Sequence, residues 1–213
     1  MINLTGIVVH SNLGRSLYPS EAIKAGIMVM ENFTDLEFDL SSGKRSERER
    51  FLVHSVKELT GAEDATIVNN NAAAVFLILN TFCMGKEVVI SRGELVEIGA
   101  EFRIPDIMKN AGAKLKEIGT TNRTHLSDFS SAICSQTGLI MKVYTSNYEI
   151  IGFTSCVDEK KISQLAKKNK VPFVVDIGSG NLTDMTNINL PKEDIISDVL
   201  RKGVDLVTFS GDK

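Results

Sequence analysis

Tryptophan is absent from this 213-residue sequence, and aromatic residues make up only 6% of it, so the core must be mainly aliphatic. Cysteine is scarce as well. Cys83, Cys134 and Cys156 are widely spaced and form no Cys-x-x-Cys pair. Such a set is not typical of a disulfide framework or a zinc site, and it predicts reduced thiols in a cytoplasmic protein.

Long apolar runs and an excess of basic residues are also missing. No stretch approaches the roughly 18 apolar residues of a membrane span, so we expect no membrane partner, and residues 1–15 lack the pattern of a signal peptide. The formal net charge of −3 is not the footprint of a nucleic-acid binder, so a basic face would have to be local or supplied by another segment. With 43% hydrophobic and 24% charged residues, the composition is that of an ordinary globular protein.

Short apolar runs alternate with helical patterns from about residue 65 onward. The runs predict strands at 66–70, 87–91, 114–119, 138–145, 172–178 and 204–210. The patterns between them predict helices at 72–84, 101–112, 126–134, 158–170 and 192–203. Continuous apolar strands are typical of a sheet covered by helices on both faces. The sequence therefore predicts an α/β fold with three layers and a mostly parallel sheet.

The first 60 residues are less regular than the rest. A capped helix is predicted at 20–33, and residues 39–50 read as a polar, charged linker. We therefore divide the chain into an N-terminal arm and linker over 1–60 and a large domain over 61–213.

Three consecutive asparagines, Asn69, Asn70 and Asn71, precede the predicted helix that begins at Ala72. The start of a helix offers free backbone N–H groups and a partial positive charge to an anion. One interpretation is a simple asparagine N-cap. Because three asparagines exceed what a cap requires, phosphate binding is the other.

Two further polar side chains lie at or just beyond the ends of predicted strands. Asp176 could cap a helix, bind a metal or pair with a protonated ring nitrogen, and no histidine or second acid lies nearby at ligand spacing. Lys213 follows the last strand, three residues after Ser210. An amine for a Schiff base, a carboxylate for a pyridinium nitrogen and donors for a phosphate match a pyridoxal phosphate site. In this order they are typical of the aminotransferase-like large domain, pyridoxal-phosphate fold type I.

The sequence resembles the bacterial selenocysteine synthases, the L-seryl-tRNA(Sec) selenium transferase family, over residues 2–213. The matching stretches include INLTGIVVHSNLGR, VNNNAAAVFLILN, SRGELVEIGAEFRIPD, EIGTTNRTH, KVYTSNYEIIGFT, DIGSGNLTD and GVDLVTFSGDK. The resemblance implies that seryl-tRNA(Sec) is converted to selenocysteinyl-tRNA(Sec) through dehydroalanyl-tRNA. Pyridoxal 5'-phosphate would be the cofactor and selenophosphate the selenium donor. The same resemblance implies that the protein is cytoplasmic and forms a homo-oligomer, a ring of dimers.

The resemblance also implies roles for individual residues. Lys213 would carry the cofactor and act in catalysis, with Asp176 as partner of the ring nitrogen. Phosphate contacts are implied at Asn70, Asn71, Ala72 and Ser210. Arg15 would hold the anionic selenium donor, which suits a guanidinium group.

This chain departs from the family at several points. Ser46 and Glu47 replace the usual Gly-Ser after Gly-Lys-Arg, and Glu149 stands where a basic residue is common. Both ends are expected to be incomplete, with the tRNA-binding N-terminal domain and the small C-terminal domain outside this chain, so that the chain alone is inactive. Two alternatives stay open: a related pyridoxal-phosphate lyase acting on a small amino acid or amino-sugar phosphate, and an inert fragment.

Overall fold

Strands and helices alternate along most of the chain in the computed structural model, which describes residues 2–7, 9–10, 13–98, 102–146, 148–190 and 192–212. The helices are α1 (Ser20–Glu31), α2 (Arg50–Thr60), α3 (Asn71–Cys83), α4 (Ile104–Asn110), α5 (Leu126–Ala132), α6 (Glu159–Asn169) and α7 (Ile196–Arg201). The strands are β1 (Phe38–Asp39), β2 (Lys44–Arg45), β3 (Glu87–Ser91), β4 (Glu97–Ile98), β5 (Phe102–Arg103), β6 (Lys114–Ile118), β7 (Thr137–Val143), β8 (Phe173–Gly178) and β9 (Leu206–Phe209).

Five of these strands form the central sheet, in the order β6-β3-β7-β8-β9. Every neighbouring pair in it is parallel. Side chains from its two faces belong to two separate apolar clusters. On one face, β7 packs against α3 and α4 through Leu139, Met141, Val75, Leu79 and Met108. On the other face, β7 and β8 pack against α5, α6 and α7 through Ile140, Phe173, Phe129, Ile162 and Val199. The predicted three-layer α/β fold with a mostly parallel sheet is confirmed.

The strand predicted at 66–70 is wrong, because these residues form no strand. Only Thr66, Ile67 and Val68 favour extended structure there, and Ile67 is 39% exposed rather than packed in the sheet. The two asparagines that follow favour caps and turns over strands. The segment instead leads directly into α3.

The segment at 39–50 is more ordered than a linker. It contains β2, which pairs with β1 in an antiparallel hairpin, and its last residue, Arg50, begins α2. The Arg50 guanidinium donates to the Asp35 carboxylate at 3.0 Å and to the Phe38 carbonyl at 2.9 Å. This arginine therefore ties α2 to the hairpin, a role that a charged sequence does not reveal. No helix in the described ranges is long and apolar enough to cross a membrane.

The three cysteines lie in different environments. Cys83 is fully buried in α3, whereas Cys134 and Cys156 are exposed. Burial raises the pKa of the Cys83 thiol to about 11, against a smaller opposing effect of Lys86. Because the thiolate is the reactive form, Cys83 is protected from thiol reagents in two ways: burial keeps the reagent away, and the raised pKa keeps the thiol protonated.

We therefore expect two thiols to react rapidly with a disulfide reagent such as DTNB at pH 8, and the third only after denaturation. A Cys134→Ser variant should lose one rapid equivalent and keep the slow one. Three rapid equivalents in the native protein would contradict the burial of Cys83.

Candidate functional site

A buried carboxylate marks the point where β8, β9 and α3 meet. Asp176 of β8 is 2% exposed and lies opposite Thr208 in the register of β8 and β9. Its Oδ1 atom accepts hydrogen bonds from Asn71 Nδ2 at 2.7 Å and from Thr208 Oγ1 at 2.9 Å. The backbone N–H of Gly178 donates to the same oxygen at 3.2 Å. Donors to a carboxylate stabilise its charged form.

The turn after Asp176 depends on glycine. Gly178 has φ of +76°, in the left-handed region that other residues rarely adopt. The register with β9 shifts between Asp176 and Gly178, as in a bulge that ends a strand. The Gly178 carbonyl then accepts from the Ser210 backbone N–H at 3.1 Å. Ser210 is thereby held at the same end of the sheet as Asp176.

The start of α3 shows what each asparagine does. The Asn70 side chain accepts from the Ala73 N–H at 2.9 Å, so Asn70 is the helix N-cap. The Asn71 side chain contacts Asp176, and its own Oδ1 is buried without a hydrogen-bond partner in the described part of the chain. Within those same ranges, the backbone N–H groups of Asn71 and Ala72 have no partner either. Two donors at the positive end of a 13-residue helix are thus available to an anion.

The N-terminal segment reaches the end of β9. Arg15 Nη1 lies 3.3 Å from Asp212 Oδ1, and the Ser16 N–H donates to the Asp212 carbonyl at 3.0 Å. Lys213 lies outside the described residues, but its neighbour Asp212 places this part of the chain beside Arg15. The structure therefore brings Asn70, Asn71, Ala72, Asp176 and Ser210 to one end of the sheet, with Arg15 next to the residue that precedes Lys213.

The donor set fits pyridoxal phosphate. Asp176 supplies a buried carboxylate for a protonated ring nitrogen, and the N–H groups of Asn71 and Ala72 supply donors for a phosphate. The buried Asn71 Oδ1 is an orphan acceptor, which folded proteins rarely leave without a partner. By contrast, no cluster of three or more histidine, cysteine or acidic residues suited to a metal ion occurs in the described ranges.

Thr208 was missed in the sequence. The signal available was a hydroxyl within an apolar strand, LVTF, which ends shortly before the lysine. The pattern shows that Thr208 is a polar residue in a strand, but not that it faces Asp176. That contact depends on the register between β8 and β9, which only the fold supplies.

A network of buried charges, also missed in the sequence, lies between β7 and α6. The Lys142 ammonium group lies 3.3 Å from Glu94 and 3.7 Å from Glu159, and all three side chains are at most 13% exposed. The second Glu159 oxygen lies 2.8 Å from Lys202 Nζ. The Tyr144 hydroxyl donates to Glu159 at 3.2 Å.

This network shifts the titration of its members. Burial lowers the pKa of Lys142, but Glu94 and Glu159 outweigh it and hold the pKa above its ordinary 10.5. Burial also lowers the pKa of Lys202, but the hydrogen bond to Glu159 and the nearby carboxylate charges together outweigh it, so the pKa of Lys202 lies above its ordinary value. Burial and Glu159 raise the pKa of Tyr144. Since all three pKa values rise on folding, their contribution to stability is present below about pH 10 and is lost as the pH rises through the raised values.

We expect Lys142→Met to lower the melting temperature at pH 7 by roughly 10 °C, because removing one partner of a buried pair costs about 3–5 kcal/mol in a domain of this size. The variant should also lose less stability than the native protein between pH 9 and pH 11. Lys160→Met, on the exposed side of α6, is the control. An unchanged melting temperature in Lys142→Met would show that the network contributes little.

The architecture, a parallel sheet with helices on both faces, defines the class of fold, the aminotransferase-like α/β fold. D-Glucosaminate-6-phosphate ammonia-lyase has a similar structure, with a TM-score of 0.69 and 21% identity, covering 94% of this chain and 52% of its own. The Helicobacter pylori aminotransferase PseC has a TM-score of 0.53 and 15% identity, covering 77% of this chain and 40% of its own. At such identities the comparison establishes the fold alone.

The chain belongs to the L-seryl-tRNA selenium transferase family, whose sequence model matches residues 1–213. It is 54% identical over 211 residues to the L-seryl-tRNA(Sec) selenium transferase of Haemophilus influenzae, covering 99% of this chain and 46% of the relative. The Clostridium botulinum enzyme of that name is 53% identical over 213 residues, covering 100% and 46%. The chain thus spans about half the length of these curated relatives. The resemblance inferred from the sequence is confirmed.

Proposed function

We propose that the full-length protein containing this chain converts seryl-tRNA(Sec) to selenocysteinyl-tRNA(Sec), with pyridoxal 5'-phosphate as cofactor and selenophosphate as selenium donor. The observation that carries the proposal is Asp176, a buried carboxylate held by three donors beside a helix start with two available N–H groups. The family supports the reaction, because relatives at 53–54% identity carry the name of this enzyme.

The residues of this chain would hold the cofactor at three points. Asp176 would pair with the ring nitrogen, the N–H groups of Asn71 and Ala72 with Ser210 would bind the phosphate, and Lys213 would form the covalent link. When bound, the cofactor takes up the electron pair that remains on the serine Cα after its proton leaves. In this assignment Asn70 acts indirectly, by capping α3 and fixing the two donors.

Proton transfer and donor binding would fall to two other side chains. Lys213 would remove the Cα proton of the seryl group, after which the β-hydroxyl leaves as water and dehydroalanyl-tRNA remains. Arg15 would bind the oxyanion of selenophosphate. The selenium would add to Cβ while a proton returns to Cα, and water would then cleave the Se–P bond and release phosphate. The present pair of Arg15 with Asp212 is half exposed on both sides, and such pairs contribute about 0–1 kcal/mol. An anionic donor can therefore replace Asp212 at little cost.

The decisive experiment supplies full-length protein with radiolabelled seryl-tRNA(Sec) and selenophosphate, with and without pyridoxal phosphate. We expect labelled selenocysteinyl-tRNA(Sec) only when all components are present. Seryl-tRNA(Ser) is the control for the tRNA, and D-glucosaminate 6-phosphate tests the alternative lyase reaction. Product formation without the cofactor, or turnover of the sugar phosphate alone, would contradict the proposal.

We also propose that the protein is a homo-oligomer. Helix α1 buries none of its side chains, and Ile23, Ile27, Met28 and Met30 on it are 47–80% exposed. Apolar surface of this kind marks an interaction site. Light scattering after gel filtration should give a mass several times that of one chain, and Met28→Lys should lower it. A monomer in both proteins would overturn this assignment.

A further inference from the structure

The packing of β9 does not require the buried hydroxyl group of Thr208. Thr208 is 4% exposed, and its neighbours in the strand are Val207 and Phe209. Valine has the same shape and would avoid burying a polar group. Thr208 Oγ1 instead donates to Asp176 Oδ1 at 2.9 Å, in a cross-strand pair. The hydroxyl therefore serves the carboxylate.

Asn71 approaches the same oxygen from another element. Its Nδ2 group must face Asp176, because a carboxylate accepts hydrogen bonds and cannot donate them. That orientation leaves Asn71 Oδ1 buried with no partner within the described ranges, and an unpaired buried acceptor destabilises the folded chain. An arrangement that leaves this group unpaired points to a role in the site rather than in folding.

Three donors from three places thus converge on one oxygen: Asn71 of α3, Thr208 of β9 and the Gly178 N–H of β8. Hydrogen bonds to a charged acceptor are shorter and stronger than neutral ones, and they fix its direction. With Oδ1 held from three sides, the carboxylate has one orientation.

We propose that Thr208 and the Asn71 side chain are positioning residues, which hold the Asp176 carboxylate charged and in place for the ring nitrogen of a pyridoxal-type cofactor. This inference rests on the proposed function and deepens it. Asn71 would then act in two ways, through its backbone N–H on the phosphate and through its side chain on the ring-nitrogen partner. Helix α3 would then contribute residues to the phosphate end and to the ring-nitrogen end of the cofactor site.

The test compares two ligands in the full-length protein: pyridoxal phosphate and 1-deazapyridoxal phosphate, which has C–H in place of the ring nitrogen. In Thr208→Val, the Kd for pyridoxal phosphate should rise about tenfold, since a lost hydrogen bond to a charged group has an effect of this order. The Kd for the deaza ligand should change less than twofold. A structural role for Thr208 would weaken both ligands equally.

Three further variants complete the experiment. Thr208→Ser keeps the hydroxyl and should restore the native Kd. Asn71→Ala keeps its backbone N–H and should reproduce the selective loss, which gives a second test if Thr208→Val folds poorly. Thr137→Val, at the opposite end of the sheet, also removes hydrogen bonds and should leave both Kd values unchanged.

Equal weakening of the two ligands in Thr208→Val and Asn71→Ala, or no weakening of either, would overturn the positioning role. If the native protein binds neither ligand, the cofactor assignment itself fails. The two failures are therefore distinguishable.

Discussion

Replacing Asp176 by asparagine should reduce kcat of the full-length protein by at least about a hundredfold. The change preserves shape but removes the charge that would pair with the ring nitrogen, and breaking a buried charge pair costs about 3–5 kcal/mol, or two to four powers of ten in rate. The asparagine amide would offer Asn71 and Thr208 an uncharged acceptor in place of the carboxylate. Formation of selenocysteinyl-tRNA(Sec) under saturating substrate measures the loss.

Asp205→Asn is the matched control. Asp205 also joins β8 and β9, but at the other end of the sheet, where its carboxylate accepts from the Phe173 N–H at 2.9 Å. This variant should lose some stability and keep its kcat. Native-like activity in Asp176→Asn would remove Asp176 from the site, whereas an equal loss in both variants would point to damage of the sheet.

Much of the fold was predictable because the strands are simple. The runs that became β3, β7 and β8 are continuous and apolar, and the Ala/Leu-rich sequence of α3 follows directly on its asparagine cap. The prediction was wrong where a run was too short, at 66–70. It also missed α2, which follows the charged segment 39–50 and whose first residue, Arg50, donates to Asp35 and to the Phe38 carbonyl of the hairpin.

The candidate site was predictable in its location but not in its contacts. Asp176, Ser210 and Lys213 each lie at or beyond the carboxyl end of a predicted strand, and parallel strands bring their carboxyl ends to one edge. The sequence could not show that Asn71 would contact Asp176, 105 residues away. It could not assign separate roles to Asn70 and Asn71, since both are asparagines at a helix start. Such roles depend on which rotamer the packed neighbours allow.

In the full-length protein, Lys213→Ala should abolish the covalent attachment of pyridoxal phosphate and reduce turnover. The expected reduction is about 10²–10⁴-fold, the usual contribution of a general base. The residues before Lys213 place this part of the chain at the candidate site. In β9, Thr208 lies opposite Asp176. The Ser210 N–H then donates to the Gly178 carbonyl, and Asp212 contacts Arg15.

Borohydride reduction followed by peptide mass spectrometry identifies the attachment point. The native protein should carry a stable pyridoxyl group on the peptide that contains Lys213, and Lys213→Ala should carry none. Lys109→Ala, at the exposed end of α4, should behave as the native protein does. Asp176 and the start of α3 do not depend on the amine, so Lys213→Ala should still bind the cofactor reversibly. A pyridoxyl group on another lysine, or full turnover without Lys213, would move the catalytic amine elsewhere and leave the contacts at Asp176 to be explained by noncovalent binding alone.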